Sequence, residues 1–324
     1  MPANFSPLKI ATRGSPLALW QANHVKEQLL ALGHDCRIQV IKTKGDEDQK
    51  NPIHEIGGKG VFTKAIENAL LLREADIAVH SLKDLPVTLD PRLHLVAHLK
   101  RSSYRDCLIL SKQGPTLPFK TIILPEDLKS LPPSFSIGTG SLRRASLLAW
   151  QDFHHCLPLR GNVDTRLKRL NPDHPGHLSS IILAEAALLR LNLIDEYRIH
   201  PLCPEWFTPS PSQGIVVCQA RRDDLVTSDI LASFNDPSTQ FLSDIERGIL
   251  KGLGGDCRLP IGILAILKND MLDVAATVLS LKGNFVTIKC TFDPKMKFTE
   301  IIDHSLKLLF KQGVEKILVE LGIR

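Results

Sequence analysis

The sequence predicts an α/β protein of more than one domain. Strand-like apolar runs alternate with helix-like amphipathic ones, the grammar of a largely parallel sheet with helices on its faces. That alternation restarts near residue 105. A length of 324 residues also exceeds what one hydrophobic core normally serves.

Each element has its own signal. "LKIAT" (8–12) reads as a short buried strand. Ser15 and Pro16 then supply a favoured N-cap and a favoured first helical residue for "LALWQANHVKEQLLALG", which stops at Gly33. "CRIQVIKT" (36–43) is a second strand, and residues 44–60 are a long polar loop with glycines. "VFTKAIENALLLRE" reads as a helix and "ADIAVH" as a strand.

In the second run "RDCLILS" is a strand. "SFSIGT" leads into the helix "GSLRRASLLAW", capped by Ser141. "HCLPLR" leads into "GNVDTRLKRL", and "SSIILA" into "EAALLRL". Past residue 237 the pattern becomes α+β. "STQFLSDIERGILKGL" is a helix, "LPIGILAIL", "DVAATVLSL" and "NFVTIKC" are strands, "FTEIIDHSLKLLFKQG" is a helix, and "EKILVEL" is expected to be a last strand.

Composition narrows the function. Hydrophobic residues make up 43% and charged residues 23%, the balance of an ordinary globular chain. The start, "MPANFSPLKIATR", has no basic region followed by an apolar run, so no secretory signal is expected. The longest apolar stretch, "SSIILAEAALLRL", is broken by Glu185 and is too short for a membrane span. A net charge of +5 without basic blocks, and only 5% aromatics, does not call for nucleic acid. The seven cysteines are odd in number, scattered and never in a CxxC pair, which argues against a disulfide framework or structural zinc. A reducing cytoplasm is the expected compartment. "HHC" at 154–156 invites a metal reading, but adjacent residues rarely face one ion, and no metal is expected.

Ligands of open α/β sheets bind beyond the carboxyl ends of the strands. Those turns carry Arg13 and Ser15; Ser81, Lys83 and Asp84; Thr139, Ser141, Arg143 and Arg144; and Arg160 and Arg166; Arg190 lies within a helix. Helix N-termini and arginines both favour carboxylates. Taken singly, these are ordinary caps and solvated cations; together they point to a polyanionic small molecule shared by two domains. Within the cationic set Asp84, in "AVHSLKDLP", is the exception: either a turn aspartate or an acid placed to stabilise positive charge. "GGKGVF" lacks the full phosphate-loop pattern. Cys257, in "LGGDCRLPIG", is open to four readings: buried filler, metal ligand, nucleophile or attachment point.

The motifs "ATRGSPLALWQA", "GGKGVFTKAIENALL", "ADIAVHSLKDLP", "IGTGSLRRASLLA", "LRGNVDTRLKRL", "QGIVVCQAR" and "LGGDCRLPIG" run in order from about residue 8 onward. Together they resemble the porphobilinogen deaminase, or hydroxymethylbilane synthase, family. The resemblance implies two domains like periplasmic binding proteins and a small third α+β domain. Their expected bounds are 1–104 with 215–232, then 105–208, then 237–324. It implies a transferase of tetrapyrrole (porphyrin, haem) biosynthesis that condenses four porphobilinogen molecules head to tail into hydroxymethylbilane and releases ammonia. It also implies a dipyrromethane cofactor held by a thioether to Cys257, and a monomer with neither nucleic acid nor membrane as partner.

Residue by residue, the resemblance implies catalytic roles for Asp84, Lys83 and Arg13. Cofactor binding is implied for Ser81, Lys83, Asp84, Thr139, Ser141, Arg143, Arg144 and Arg160. Substrate binding is implied for Arg13, Ser15, Phe62, Arg160, Arg166 and Arg190. Gly140, Glu185, Ala187, Ser212, Gln219 and Asp256 depart from the family pattern. Arg143→Leu and Arg160→Leu are expected to impair carboxylate binding without unfolding. The rivals are a non-catalytic two-domain binding module for a polyanion, and a nucleic-acid binder.

Overall fold

The computed structural model describes residues 7–43, 63–114, 117, 122–255 and 259–323. The chain divides into two compact units, Met1–Arg101 with Ile215–Gln240, and Ser102–Gly214 with Phe241–Arg324.

The first unit is built on a five-stranded sheet of β1 (Leu8–Thr12), β2 (Cys36–Val40), β3 (Ile77–Ser81), β4 (Leu93–His98) and β10 (Val216–Arg221), in the order β2-β1-β3-β10-β4. Successive side chains of a strand point to opposite faces, so Ile10 and Ala11 enter different cores. Ile10, Ile77, Val79 and Cys218 pack on Ala22, Val25 and Leu29 of α1 (Pro16–Ala31) and on Leu231 of α7 (Leu225–Ala232). Ala11, Ala78 and Leu93 pack on Ile66, Ala69 and Leu70 of α2 (Lys64–Leu71). Ser15 caps α1 as expected, its Oγ accepting from the Ala18 N–H at 3.4 Å, with Pro16 in the first turn.

The second unit holds a five-stranded sheet of β5 (Asp106–Leu110), β6 (Ile137–Thr139), β7 (Cys156–Pro158), β8 (Ser180–Ala184) and β9 (Arg198–Pro201), in the order β7-β6-β8-β5-β9. The short α3 (Pro125–Lys129) and α4 (Leu142–Trp150) cover one face, through Leu128, Leu147 and Leu148. α5 (Val163–Leu167) and α6 (Glu185–Arg190) cover the other, through Leu167 and Leu188.

The α/β class is as the alternation predicts, but the sheets are mixed rather than largely parallel. β1 runs parallel to β2 and β3, and β6 parallel to β7 and β8. β10 lies antiparallel between β3 and β4, and β5 antiparallel between β8 and β9. The alternating pattern shows neighbours in sequence and cannot show β10, which joins the first sheet after the whole of 102–214 has intervened.

The C-terminal stretch follows α8 (Pro237–Gly252) with an antiparallel sheet of β11 (Ile261–Lys268), β12 (Met271–Leu279) and β13 (Phe285–Phe292), then α9 (Phe298–Lys311) and α10 (Val314–Glu320). The last element corrects the expected strand "EKILVEL". Val314, Ile317 and Leu318 are buried while Glu315, Lys316, Val319 and Glu320 are exposed, a spacing of three and four that only a helix turns to one side.

Ser212 occupies a corner that favours glycine. Its φ is +62°, its hydroxyl is buried without a partner, and its N–H donates to the buried Glu246 carboxylate at 2.5 Å. A side chain in left-handed backbone costs about 1 kcal/mol, and an unsatisfied hydroxyl adds to it. Ser212→Gly is therefore expected to raise the thermal midpoint, by about 1 kcal/mol of stability, and Ser212→Val to lower it. Parallel melts of the two variants check this.

Candidate functional site

In the first unit the ends of β1 and β3 and the start of α1 form an open pocket whose floor is partly apolar, with Leu17, Ala18, Ile66 and Val79. Arg13, Ser15, Ser81 and Asp84, all singled out by the sequence, line it together with Thr12, Gln21, Thr63 and His80. Adjacency of β1 and β3 places their carboxyl ends side by side, and the segment after each strand contributes the functional groups. The 3-10 turn Leu82–Asp84 is pinned by buried Leu82 and Leu85 and by the Leu82 N–H donating to the Ile215 carbonyl at 3.0 Å. That anchoring presents Asp84, which is exposed, on a fixed turn. Lys83 lies on the same turn. Buried Gln21 donates to the Ser81 Oγ at 2.8 Å and fixes that hydroxyl. Burial pushes the His80 imidazole down to about 4, with Gln219 opposing in part, so the ring is neutral at pH 7.

In the second unit the expected arginines divide into two kinds. Arg143 and Arg144 are only 4% and 6% exposed. Their guanidinium groups close on one buried carboxylate, Asp106, at 2.7 Å each. Arg143 also donates to the Thr208 carbonyl at 2.8 Å, and Arg144 to the Ile182 carbonyl at 2.9 Å. The Gln213 amide adds a bond to Asp106 at 2.9 Å. Burial alone would raise the Asp106 carboxyl, but the charges of Arg143 and Arg144 and the bonds from Gln213 and Arg143 hold it well below the usual carboxylate range.

This changes the expectation for Arg143→Leu. Leucine leaves Asp106 paired with Arg144 and Gln213 but strips a donor from the Asp106 Oδ2 and from the Thr208 carbonyl, both in buried residues, at a cost of about 1–3 kcal/mol. The variant is now expected to lose stability as well as activity, and urea unfolding reads the difference. Because the Asp106 carboxyl sits low in the folded state, this stabilisation is present above the ordinary carboxylate range and is lost only in strong acid.

The other positions keep more of their binding capacity. Arg160 is half-buried, and its Nη1 is buried without a hydrogen-bond partner. Thr139 and Ser141 stand at the β6–α4 turn, where the Ser141 Oγ accepts from the Arg144 N–H at 3.5 Å. Gly140 lies between them, and a Cβ there would meet the Leu159 carbonyl oxygen at 2.3 Å, so this close approach requires glycine. Arg166 donates to the Gly161 carbonyl at 2.7 Å. Arg190 is buried, donates to the Gly214 carbonyl at 2.8 Å, and is lowered to about 10 by burial. Phe62, Cys257 and the loop 44–60 lie outside the described residues.

Sequence reasoning missed Asp106, Gln21 and His80. Asp106 had a visible signal: an acid opening the otherwise apolar strand "DCLIL", in a chain that also presents paired arginines.

Comparison with known proteins adds three findings. The family model described as porphobilinogen deaminase, dipyromethane cofactor binding domain, matches residues 8–229, and the C-terminal domain of the same family matches residues 241–302. The porphobilinogen deaminase of a Nitratiruptor species is 38% identical over 314 residues, covering 96% of each chain. That of Helicobacter hepaticus is 40% identical over 275 residues, covering 84% of this chain and 80% of the relative. Among solved structures, a periplasmic substrate-binding protein of an ABC transporter from Coxiella burnetii aligns with a TM-score of 0.40 at 12% identity, over 74% of this chain and 96% of that one. Among the described residues no helix is long and apolar enough to cross a membrane.

Proposed function

The chain belongs to the porphobilinogen deaminase family, and on that premise we propose that the pocket lined by Arg13, Ser15, Ser81 and Asp84 is where porphobilinogen is condensed. The reaction is the head-to-tail joining of four porphobilinogen molecules into hydroxymethylbilane with release of ammonia, a transferase step of tetrapyrrole biosynthesis. The observation that carries the assignment of the pocket is one carboxylate, Asp84, on a rigid turn beside a cation and two hydroxyls.

The residues fit a dipyrromethane cofactor. A pyrrole of this type carries acetate and propionate groups, and Arg160 has a buried Nη1 with no hydrogen-bond partner among the described residues. Thr139 and Ser141 offer hydroxyls near a helix N-terminus. We assign the attachment to Cys257, in its glycine-flanked segment, and the carboxylates to Ser81, Lys83, Thr139, Ser141, Arg143, Arg144 and Arg160. When bound, the dipyrromethane supplies the pyrrole to which the first substrate is joined.

The chain's own residues have distinct tasks in this reading. Arg13 and Ser15 bind a substrate carboxylate, with Arg166 and Arg190 as further cations and Phe62 as an aromatic contact. Asp84 accepts from the pyrrole N–H and stabilises the positive charge left on the substrate when ammonia departs. It also holds or moves a proton at its carboxylate oxygens. Lys83 supplies a compensating cation on the same turn. Arg143 and Arg144, gripped by Asp106, act as a preset positive wall rather than as mobile clamps.

We read residues 237–324 as a third domain, on the ground that they carry their own antiparallel sheet. We further read the protein as cytoplasmic, a reading supported by the six free cysteines among the described residues, and as a monomer, which rests on the family resemblance alone. A non-catalytic binding module is not favoured, because Arg13, Lys83, Asp84 and Cys257 are all retained. The test is to supply porphobilinogen to the purified chain and follow ammonia and hydroxymethylbilane together. Equimolar ammonia per porphobilinogen consumed is expected. Binding of porphobilinogen without ammonia would restore the binding-module reading.

A further inference from the structure

In the second unit a buried cation rests on an aromatic ring that none of the roles above uses. Phe207 lies in the connection between β9 and β10 and is fully buried. The guanidinium carbon of Arg143, on α4, stands over its ring at 5.8 Å from the centroid. That is within the reach of a cation–π contact, which strengthens where water is excluded.

The local charge balance gives the ring a task. Arg143, Arg144 and Asp106 are all buried. Among the described residues Asp106 is the one carboxylate that pairs with either arginine. Two guanidinium groups on one carboxylate leave positive charge in excess, away from water. Burial lowers the Arg143 guanidinium from its usual range; Asp106 opposes this and Arg144 adds to it. The remaining support for the Arg143 charge comes from neutral groups, the Thr208 carbonyl at Nη1 and the Phe207 ring.

These neutral supports are themselves held in place. The Trp206 ring meets Phe207 edge-on, with centroids 5.1 Å apart and planes at 75°, and its indole N–H donates to the Ile123 carbonyl at 3.1 Å. The Phe207 N–H donates to the Cys203 carbonyl at 2.9 Å. From β12 the Thr277 hydroxyl bonds the Thr208 hydroxyl at 2.9 Å, and from β11 the Ile263 N–H donates to the Pro209 carbonyl at 3.0 Å. A planar guanidinium held at Nη2 by Asp106, at Nη1 by Thr208 and against the Phe207 ring has little freedom to turn.

We propose that Phe207 is a positioning residue that acts through Arg143: its ring face stabilises and orients the buried guanidinium, so that the excess positive charge is preset for a carboxylate of the cofactor. The proposal rests on Arg143 being part of the cofactor site. A ring that only filled the core would need size alone; a ring that seats a cation needs its electron-rich face.

The experiment replaces Phe207 in the full chain by mono-, di- and trifluorophenylalanine, which nearly keep its size while fluorine withdraws electron density from the ring face. The chain, purified without cofactor, is given preformed hydroxymethylbilane, and intact mass follows attachment of the dipyrromethane. kcat and KM for porphobilinogen are then measured on the loaded chain, under conditions where urea unfolding shows every variant folded. The attachment rate and kcat should fall step by step, by about threefold to tenfold from no fluorine to three, while KM changes by less than about twofold. The split is expected because Arg143 serves the cofactor rather than the incoming substrate. In an Arg143→Leu background the fluorine dependence should vanish. Rates that do not depend on fluorine overturn the proposal, and the cofactor reading of Arg143 survives if Arg143→Leu alone slows attachment. A fluorine dependence that persists in Arg143→Leu overturns the proposal as well. Attachment and turnover unchanged in Arg143→Leu overturn Arg143 as a cofactor residue and the proposal with it. Should Arg143→Leu not fold, Arg143→Gln, neutral but still able to donate to Asp106, takes its place with the same outcomes.

Discussion

Asp84→Asn is expected to lower kcat by about a hundredfold or more while leaving the fold intact. The side chain is exposed on a turn that Leu82 and Leu85 hold in the core, so the substitution removes no buried contact. Asparagine keeps the shape and can still accept from a pyrrole N–H. What it loses is the negative charge at the moment when ammonia leaves and positive charge develops on the substrate. Binding should suffer less, because Arg13 remains in the pocket. Removal of one negative charge can even tighten a polyanionic complex. The variant should therefore stall with substrate attached. The check is to reconstitute with preformed hydroxymethylbilane, add porphobilinogen, and follow adduct masses beside turnover. Slow turnover with persisting adducts is the expected outcome. Turnover near that of the unsubstituted chain would return Asp84 to the class of turn aspartates.

Cys257→Ser carries the other large effect. Serine is nearly isosteric, so circular dichroism should match that of the unsubstituted chain. A hydroxyl at this position forms no thioether, so the purified variant should have its bare sequence mass. Without a covalently held first pyrrole unit, the chain has nothing anchored on which to build, and activity should fall to near background. Retained activity in Cys257→Ser would show that attachment at this residue is dispensable.

The parts of the site legible in the sequence are those set by local chemistry. Ser15 and Ser141 announced themselves as helix caps, and both act as caps. Arg13 and Asp84 follow strands whose apolar runs were plain, and the pairing of β1 with β3 brings them to one pocket. What stayed hidden depends on partners distant in sequence. Gln219 reaches Glu67 because β10 enters the first sheet antiparallel, an event no local pattern announces. Asp106 binds Arg143 and Arg144 across an intervening stretch of chain, so the pair looked like solvent-facing turn arginines. α10 read as a strand because Ile317, Leu318 and Val319 form a short apolar run; burial of Val314 one helical turn earlier settles the period.

The central claim is that this chain builds its product on a pyrrole primer covalently held at Cys257. Intact mass of the purified, unsubstituted protein tests it most directly. The account predicts a mass above that of the sequence by two porphobilinogen units less their ammonia. Limiting porphobilinogen should then add a ladder of further units to that species, none of which appears on Cys257→Ser. A bare sequence mass in a preparation that still makes hydroxymethylbilane would contradict it.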